Sequence, residues 1–382
     1  MAIALINGKI FNGDSWLSQQ AVIIDKEIIV ALCDRDKLPD NISQQIDLNG
    51  QRLLPGLIDT QVNGGGGVLF NDAPTVASLR TIGAAHRRFG TTGFYPTLIS
   101  DDLQVVEQAI AAVAQALTEK VPGVLGIHLE GPFLNAERKG VHNAAKFKIL
   151  DESALQLLTS LRAGKTLVTL APELTTPDMI ARLVKAGVVV AAGHSAASYE
   201  QTTRALAAGL SSFTHLFNAM TPLGSREPGM VGAALQDPHA WCGIIADGYH
   251  VHPATLKIAH AAKAKGKMVL VTDAMPSVGM AAEDKPFVLN GEKIFWDKGR
   301  LSTSTGTLAG SDLTMLAAVK NTIEKIGIET DEAIRMASLY PAAMMGIEKT
   351  FGRIEPGYRA SMILIDAEFN LLRSWIEGEE NV

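Results

Sequence analysis

The feature that most constrains this chain is a succession of eight short apolar runs. They are Leu57–Gln61, Thr92–Pro96, Val124–Leu129, Leu167–Ala171, Val188–Ala192, Ser212–Leu216, Cys242–Ala246 and Met268–Thr272. Between most of them lie longer amphipathic stretches, such as Ser78–Phe89, Leu103–Leu117, Pro177–Lys185 and Pro253–Ala264. Apolar runs alternating with helical periodicity build βα units around a parallel sheet buried on both faces. Eight such units predict an α/β protein with a (β/α)8 barrel of the TIM type. A doubly wound open sheet is the competing arrangement, but no Gly-rich dinucleotide turn opens the first unit.

The two ends read differently. Ile3–Ile6, Ala21–Ile24 and Ile28–Leu32 are short apolar segments separated by turn pairs such as Asn7-Gly8 and Asn12-Gly13, the signature of β structure. After the eighth run comes a β-like stretch, Pro286–Phe295, then a Gly/Ser/Thr-rich loop, Ser302–Ser311. Helical periodicity resumes over Leu313–Ile326 and Asp331–Met345, and Gly352–Ile365 and Leu371–Glu377 read as strands. Residues 1–53 and 346–382 are therefore expected to form one small β-sandwich domain, and residues 54–345 the barrel.

Composition narrows the partners. The 382 residues are 47% hydrophobic, ample for a large core, and carry a net charge of −6 with no basic block. Neither a nucleic acid nor a membrane is expected as a partner. The N-terminal sequence lacks the pattern of a signal peptide, and no apolar run is long enough to span a bilayer. Cys33 and Cys242 lie far apart and read as two small core residues, which suits a reducing cytoplasm.

A barrel of this type performs chemistry at the C-terminal ends of its strands. Those ends are polar here: His128 and Glu130 close the third run, His194 follows the fifth, and His215 lies in the sixth. Asp247 and His250 follow the seventh run, and Asp273 follows the eighth. Glu130, His194 and His215, one carboxylate and two imidazoles, are a common ligand set for one catalytic divalent metal with an open position. Zinc is the expected ion, although iron, cobalt and manganese accept the same N/O donors. Such a metal lowers the pKa of bound water toward about 7. Asp273 is the natural proton shuttle and His250 the donor to a developing oxyanion. Taken singly, each has a plainer reading: a hydrogen-bonded strand-end histidine, a salt-bridged glutamate, a helix cap at Asp273. Five such residues on five strand ends favour a metal-dependent hydrolase. His128 is a candidate supporting group, whereas His86, His239, His252 and His260 read as surface or helix histidines.

Several segments carry a family likeness. Leu54-Pro55-Gly56-Leu57-Ile58-Asp59 resembles the start of the first barrel strand in the amidohydrolase superfamily. Ala337–Ala343 and Gly352–Met362 resemble its closing helix and return to the small domain. His128–Phe133, Ala192–Ser195, Thr214–Met220 and Ile245–His250 resemble the signature segments of N-acetylglucosamine-6-phosphate deacetylases. The resemblance implies hydrolysis of N-acetyl-D-glucosamine 6-phosphate to D-glucosamine 6-phosphate and acetate, in amino-sugar recycling. It also implies a substrate frame of Val141, His142, Asn218, Ala219, Arg226, Asp247, Gly248, Tyr249, His250, Leu308, Ala309 and Gly310. Arg226 is the implied phosphate clamp. A homodimer or dimer of dimers is implied, in which His142 or Arg226 serves a neighbouring site. Many amidohydrolases carry a His-x-His pair after Pro-Gly-x-x-Asp, for a second metal. Here the pair is Gln61 and Asn63, poor transition-metal ligands, so one metal per chain is expected, with these amides holding water or substrate. Two rivals stand beside this reading: hydrolysis of another amide, such as a cyclic ureide or an N-acyl amino acid, and a non-catalytic scaffold.

Overall fold

The structure is a computed structural model describing residues 2–381. Eight parallel strands form one sheet, each paired with the next in chain order. They are Leu57–Val62, Thr91–Ile99, Gly126–Glu130, Lys165–Leu170, Val189–Ala192, Ser212–Phe213, Trp241–Ile244 and Met268–Leu270. A helix follows each strand before the next begins: Val76–Arg87, Leu103–Thr118, Glu152–Leu158, Pro177–Lys185, Tyr199–Ala207, Gly229–Gln236, Pro253–Ala262 and, after the eighth, Met315–Asn321. This is the (β/α)8 barrel that the eight apolar runs predict. Local signals start the helices: Thr176 caps the one that opens with Pro177, and Ser198 forms a reciprocal capping box with Gln201. The main core lies between strands and helices, for example Leu57, Phe94 and Ile127 against Leu79, Val106 and Ile110.

The first and eighth strands do not form a regular ladder. The circle is completed at its C-terminal rim by a bridge between Val62 and Ala274. There Asp273 N–H donates to Gln61 C=O at 3.0 Å and Asn63 N–H to Ala274 C=O at 2.9 Å. This seam sits inside the site described below.

Strands from both ends of the chain build two further sheets. One joins Ala2–Ile6, Gln20–Asp25, Ile28–Asp34 and Ile42–Asp47. The other joins Lys9–Phe11, Trp16–Leu17 and Arg52–Pro55 to Met362–Ile365, Leu371–Ile376 and Glu379–Glu380. Leu5, Val22 and Ile24 of the first meet Leu53, Met362 and Trp375 of the second in a separate core. A three-stranded sheet, Phe287–Leu289, Glu292–Asp297 and Arg300–Ser302, projects after the eighth barrel strand.

Three local expectations change. Asp331–Met345 is two helices, Thr330–Ala337 and Leu339–Met344, broken at Ser338 (φ −133°, ψ −75°). Pro341 lacks an N–H, and its ring would collide with the Ala337 carbonyl in a continuous helix. The helix in Leu313–Ile326 ends at Asn321 and continues as a π turn, Thr322–Ile326. Within Gly352–Ile365 only Met362–Ile365 is extended; left-handed Gly352 and Gly357 (φ 89° and 91°) turn the chain before it.

Candidate active site

Strand pleating places the first donors. Side chains two apart share one face of a strand. Asp59, Gln61 and Asn63 therefore climb one row toward the C-terminal rim, and His128 and Glu130 another. His194, His215 and Asp273 lie just beyond their strands, all with left-handed backbones (φ 47°, 31° and 55°). Phe217 and Ala219 share that conformation (φ 80° and 51°). Each such non-glycine residue costs about 1–2 kcal/mol and persists where surrounding contacts over-determine it, a condition that concentrates at functional sites.

Glu130, His194 and His215 converge. Glu130 Oε1 lies 3.0 Å from His215 Nε2 and 3.3 Å from His194 Nε2. The two Nε2 atoms are 3.0 Å apart. Metal bonds of about 2.0–2.1 Å in a tetrahedron separate ligand atoms by about 3.3 Å, so this triangle fits a small divalent ion. The tautomer fits as well. His194 Nδ1 lies 2.8 Å from the Arg138 carbonyl, which can only accept, so the ring hydrogen stays on Nδ1 and the Nε2 lone pair faces the other donors. Two imidazole nitrogens and a carboxylate oxygen aimed at one point call for a cation between them. All three residues are buried. Burial pushes the Glu130 carboxyl up, but the imidazoles of His194 and His215 packed against it outweigh burial and hold the group well below its usual range.

Gln61 and Asn63 present amide donors to the acids. Gln61 Nε2 donates to Glu130 Oε2 (3.2 Å) and to Asp273 Oδ1 (3.1 Å). Asn63 Nδ2 donates to the same Asp273 oxygen at 2.7 Å. Asp273 Oδ2 has no hydrogen-bond partner among the described residues. Burial, and then the negative charge of Glu130, push the Asp273 carboxyl up. On the opposite wall, His250 Nδ1 lies 2.7 Å from Asp247 Oδ2, and the backbone N–H groups of Tyr249 and His250 donate to Asp247 Oδ1. His128 lies deeper, between Thr97 Oγ1 (3.1 Å) and Thr169 Oγ1 (2.8 Å), and burial pushes it down to about 4, so it is a neutral core histidine.

These groups face a cavity of about 360 Å³. Of the residues expected around a substrate, Asn63, Val141, His142, Asn218, Ala219, His250, Leu308 and Gly310 line it, as do Glu130, His194, His215 and Asp273. The Ser100 N–H and hydroxyl lie 3.3 Å and 2.9 Å from His142 Nδ1. The backbone donor makes Nδ1 the acceptor, leaving the ring proton on Nε2. Gly310 is left-handed (φ 60°), and a Cβ there would stand 2.5 Å from Met275 Cγ, so no other residue fits. Gln61 lies beneath the cavity and Asp247 behind His250. Ala309 is buried in the packing under the projecting sheet, and exposed Tyr249 donates its hydroxyl to Lys298 C=O. Gly248 and Arg226 are outside the lining; Arg226 is exposed and has no ion-pair partner among the described residues.

The structure adds Arg138, the one Lys or Arg lining the cavity among the described residues. It follows Glu130 in the loop after the third strand, a position that marks it for the active rim, although its carbonyl contact to His194 leaves no trace in side-chain chemistry.

Comparison with known proteins agrees with this geometry. Residues 52–381 match the amidohydrolase family, and residues 3–53 match the NagA composite domain. The chain is 42% identical to an N-acetylgalactosamine-6-phosphate deacetylase of Shewanella sp. (strain ANA-3), covering 87% of this chain and 84% of that one. It is 36% identical to an N-acetylglucosamine-6-phosphate deacetylase of Haemophilus influenzae, covering 99% of each. The crystal structure of N-acetylglucosamine-6-phosphate deacetylase from Pasteurella multocida superposes with a TM-score of 0.95 at 34% identity, covering 100% of both chains. The chain belongs to the amidohydrolase family, in the group that holds these amino-sugar 6-phosphate deacetylases.

Proposed function

We propose that this chain hydrolyses N-acetyl-D-glucosamine 6-phosphate to D-glucosamine 6-phosphate and acetate. The observation that carries the reading is the convergence of Glu130, His194 and His215 in one cavity that Asp273 and His250 also face. Glu130, His194 and His215 would hold one divalent metal, zinc being the proposed ion. When bound, the metal acidifies a water and polarises the amide carbonyl.

This chain's own groups account for the proton traffic. Asp273 Oδ2 takes a proton from the attacking water, while Gln61 and Asn63 hold Oδ1 in place. The water oxygen bonds to the acetyl carbon, the C–N bond breaks, and Asp273 returns the proton to the departing amine. His250, its ring held by Asp247 through Nδ1, turns Nε2 toward the carbonyl oxygen where negative charge builds. The substrate's 2-amide and 6-phosphate lie at opposite ends of the sugar, so the anion must be held away from the metal. His142, Val141, Asn218, Ala219, Leu308 and Gly310 form the proposed sugar pocket, with Asp247, Gly248, Tyr249 and Ala309 shaping its loops. Arg226 remains the proposed phosphate clamp. Its exposed loop, outside its own cavity, suits service to the neighbouring site of a homodimer or dimer of dimers. No described helix is long and apolar enough to cross a membrane, and a cytoplasmic enzyme is part of the same proposal.

A second reading concerns one hydroxyl. The 42%-identical relative and a 37%-identical one from Escherichia coli O157:H7 are N-acetylgalactosamine-6-phosphate deacetylases, which favours activity on the C4 epimer as well. Acetate release from both 6-phosphorylated epimers, and from unphosphorylated N-acetylglucosamine, tests both readings. A kcat/KM on the phosphorylated glucosamine derivative no higher than on its unphosphorylated form would reject the first.

A further inference from the structure

Asp59 belongs to the Pro-Gly-Leu-Ile-Asp segment at the start of the barrel, yet no step above uses it. It is fully buried. Its Oδ1 accepts the N–H of Gln61 at 3.1 Å and of Thr272 at 3.2 Å. Its Oδ2 lies 2.5 Å from the Thr272 hydroxyl. One carboxylate thus grips the first and eighth strands at the seam where no regular ladder joins them. The next hydrogen bond up that seam runs from Asp273 N–H to Gln61 C=O, 3.0 Å. Above it the Gln61 and Asn63 amides reach Asp273 Oδ1. The residue on one side of the clasp is the neighbour of Asp273, whose left-handed backbone (φ 55°) needs fixed surroundings.

We propose that Asp59 is a positioning residue for the reaction: by clasping Gln61 and Thr272 across the barrel seam, it sets the carboxylate of Asp273 in line with the attacking water. This rests on the deacetylase reading and deepens it. Burial pushes the Asp59 carboxyl up to about 7, so the fold tolerates a buried ionisable group that is costly to keep charged. The groups around that carboxylate are the Gln61 and Thr272 backbones, the Thr272 hydroxyl and, through its charge, Asp273.

The test uses the metal-loaded enzyme and N-acetylglucosamine 6-phosphate. Displacement of a catalytic group by about 1 Å costs on the order of 100-fold. Asp59→Ala is expected to lower kcat by roughly 30- to 100-fold, with KM within about threefold of the parent and one metal still bound per chain. Asp59→Asn is expected to recover most of that loss. Its Oδ1 still accepts both N–H groups, and its amide donates to the Thr272 hydroxyl, which turns to the Gln61 carbonyl 3.3 Å away. Unchanged kcat in Asp59→Ala, parallel loss of kcat, substrate affinity and metal, or an Asn variant no better than the Ala one overturns the inference. Where Asp59→Ala fails to fold, Thr272→Val carries the test, removing one arm of the clasp. A kcat loss of about 3- to 10-fold at constant KM supports the inference, and an unchanged kcat overturns it. Asp273→Asn is assayed alongside. If it stays active, the deacetylase mechanism fails and the inference falls with it; if it is inactive while Asp59→Ala is normal, the inference alone fails.

Discussion

Replacing Asp273 by Asn isolates the proposed proton shuttle from everything else at the site. Asp273 Oδ1 receives amides from Gln61 at 3.1 Å and Asn63 at 2.7 Å, and the carbonyl oxygen of an asparagine can accept both. The side-chain NH₂ then takes the place of Oδ2, which has no partner to lose among the described residues. Glu130, His194 and His215 contact one another, and among the described residues no hydrogen bond or ion pair joins them to Asp273, so their geometry survives. What disappears is a group able to accept a proton. General acid–base catalysis contributes about 10²–10⁴-fold, or about 2.7–5.4 kcal/mol in the barrier. Asp273→Asn is therefore expected to bind one metal, to retain KM within a few-fold, and to lose 10²- to 10⁴-fold in kcat. Steady-state acetate release together with elemental analysis of the same preparation reads all three. Turnover within threefold of the parent, with metal bound, would refute the assignment.

Further outcomes follow from the same geometry. His194→Ala and His215→Ala should each lose metal and activity together, and elemental analysis of the parent should give one metal per chain, because the Gln61 and Asn63 amide donors face Asp273 and Glu130; a second fully occupied ion with either amide as ligand would contradict this. Arg226→Ala should cut kcat/KM on the phosphorylated sugar by roughly ten- to a few-hundredfold, the worth of charge-assisted bonds of about 1.5–3 kcal/mol, and leave the unphosphorylated sugar unaffected; equal losses on both would make Arg226 structural. Acid should destabilise the fold through His86, buried with Nε2 2.9 Å from Gly64 C=O and pushed down to about 4 by burial. Its unfolded form titrates near 6.5, so the stability it contributes is present above that pH and is lost as pH falls toward 4, at about 1.4 kcal/mol per unit. Urea midpoints at pH 7 and pH 5 should fall less in His86→Gln than in the parent, and equal shifts would contradict the assignment.

The barrel was legible because strands buried on both faces read as unbroken apolar runs, and the polar cavity at its rim because Glu130, His194, His215, His250 and Asp273 follow or close those runs. Contacts made by backbone or across the whole chain were not legible. Arg138 serves His194 through a carbonyl that any residue possesses. Asp59 meets Thr272 only because the first strand returns beside the eighth, and no local pattern links positions so far apart. The left-handed turns at His194, His215 and Asp273 carry none of the glycine that normally signals them, since packing at the rim overrides local preference. Tyr249 and Arg226 show the converse: the family likeness implies both around the substrate, yet within one chain neither lines the cavity.

One assay asks whether a metal held by Glu130, His194 and His215 deacetylates a sugar phosphate. Acetate release is measured from N-acetylglucosamine 6-phosphate and from its unphosphorylated form, before chelation, after chelation, and after divalent metal is restored. Rapid release from the phosphorylated sugar is expected, with its loss on chelation, its return with metal, and a much lower kcat/KM without the phosphate. Release that survives complete removal of metal, or that ignores the phosphate, would contradict that expectation.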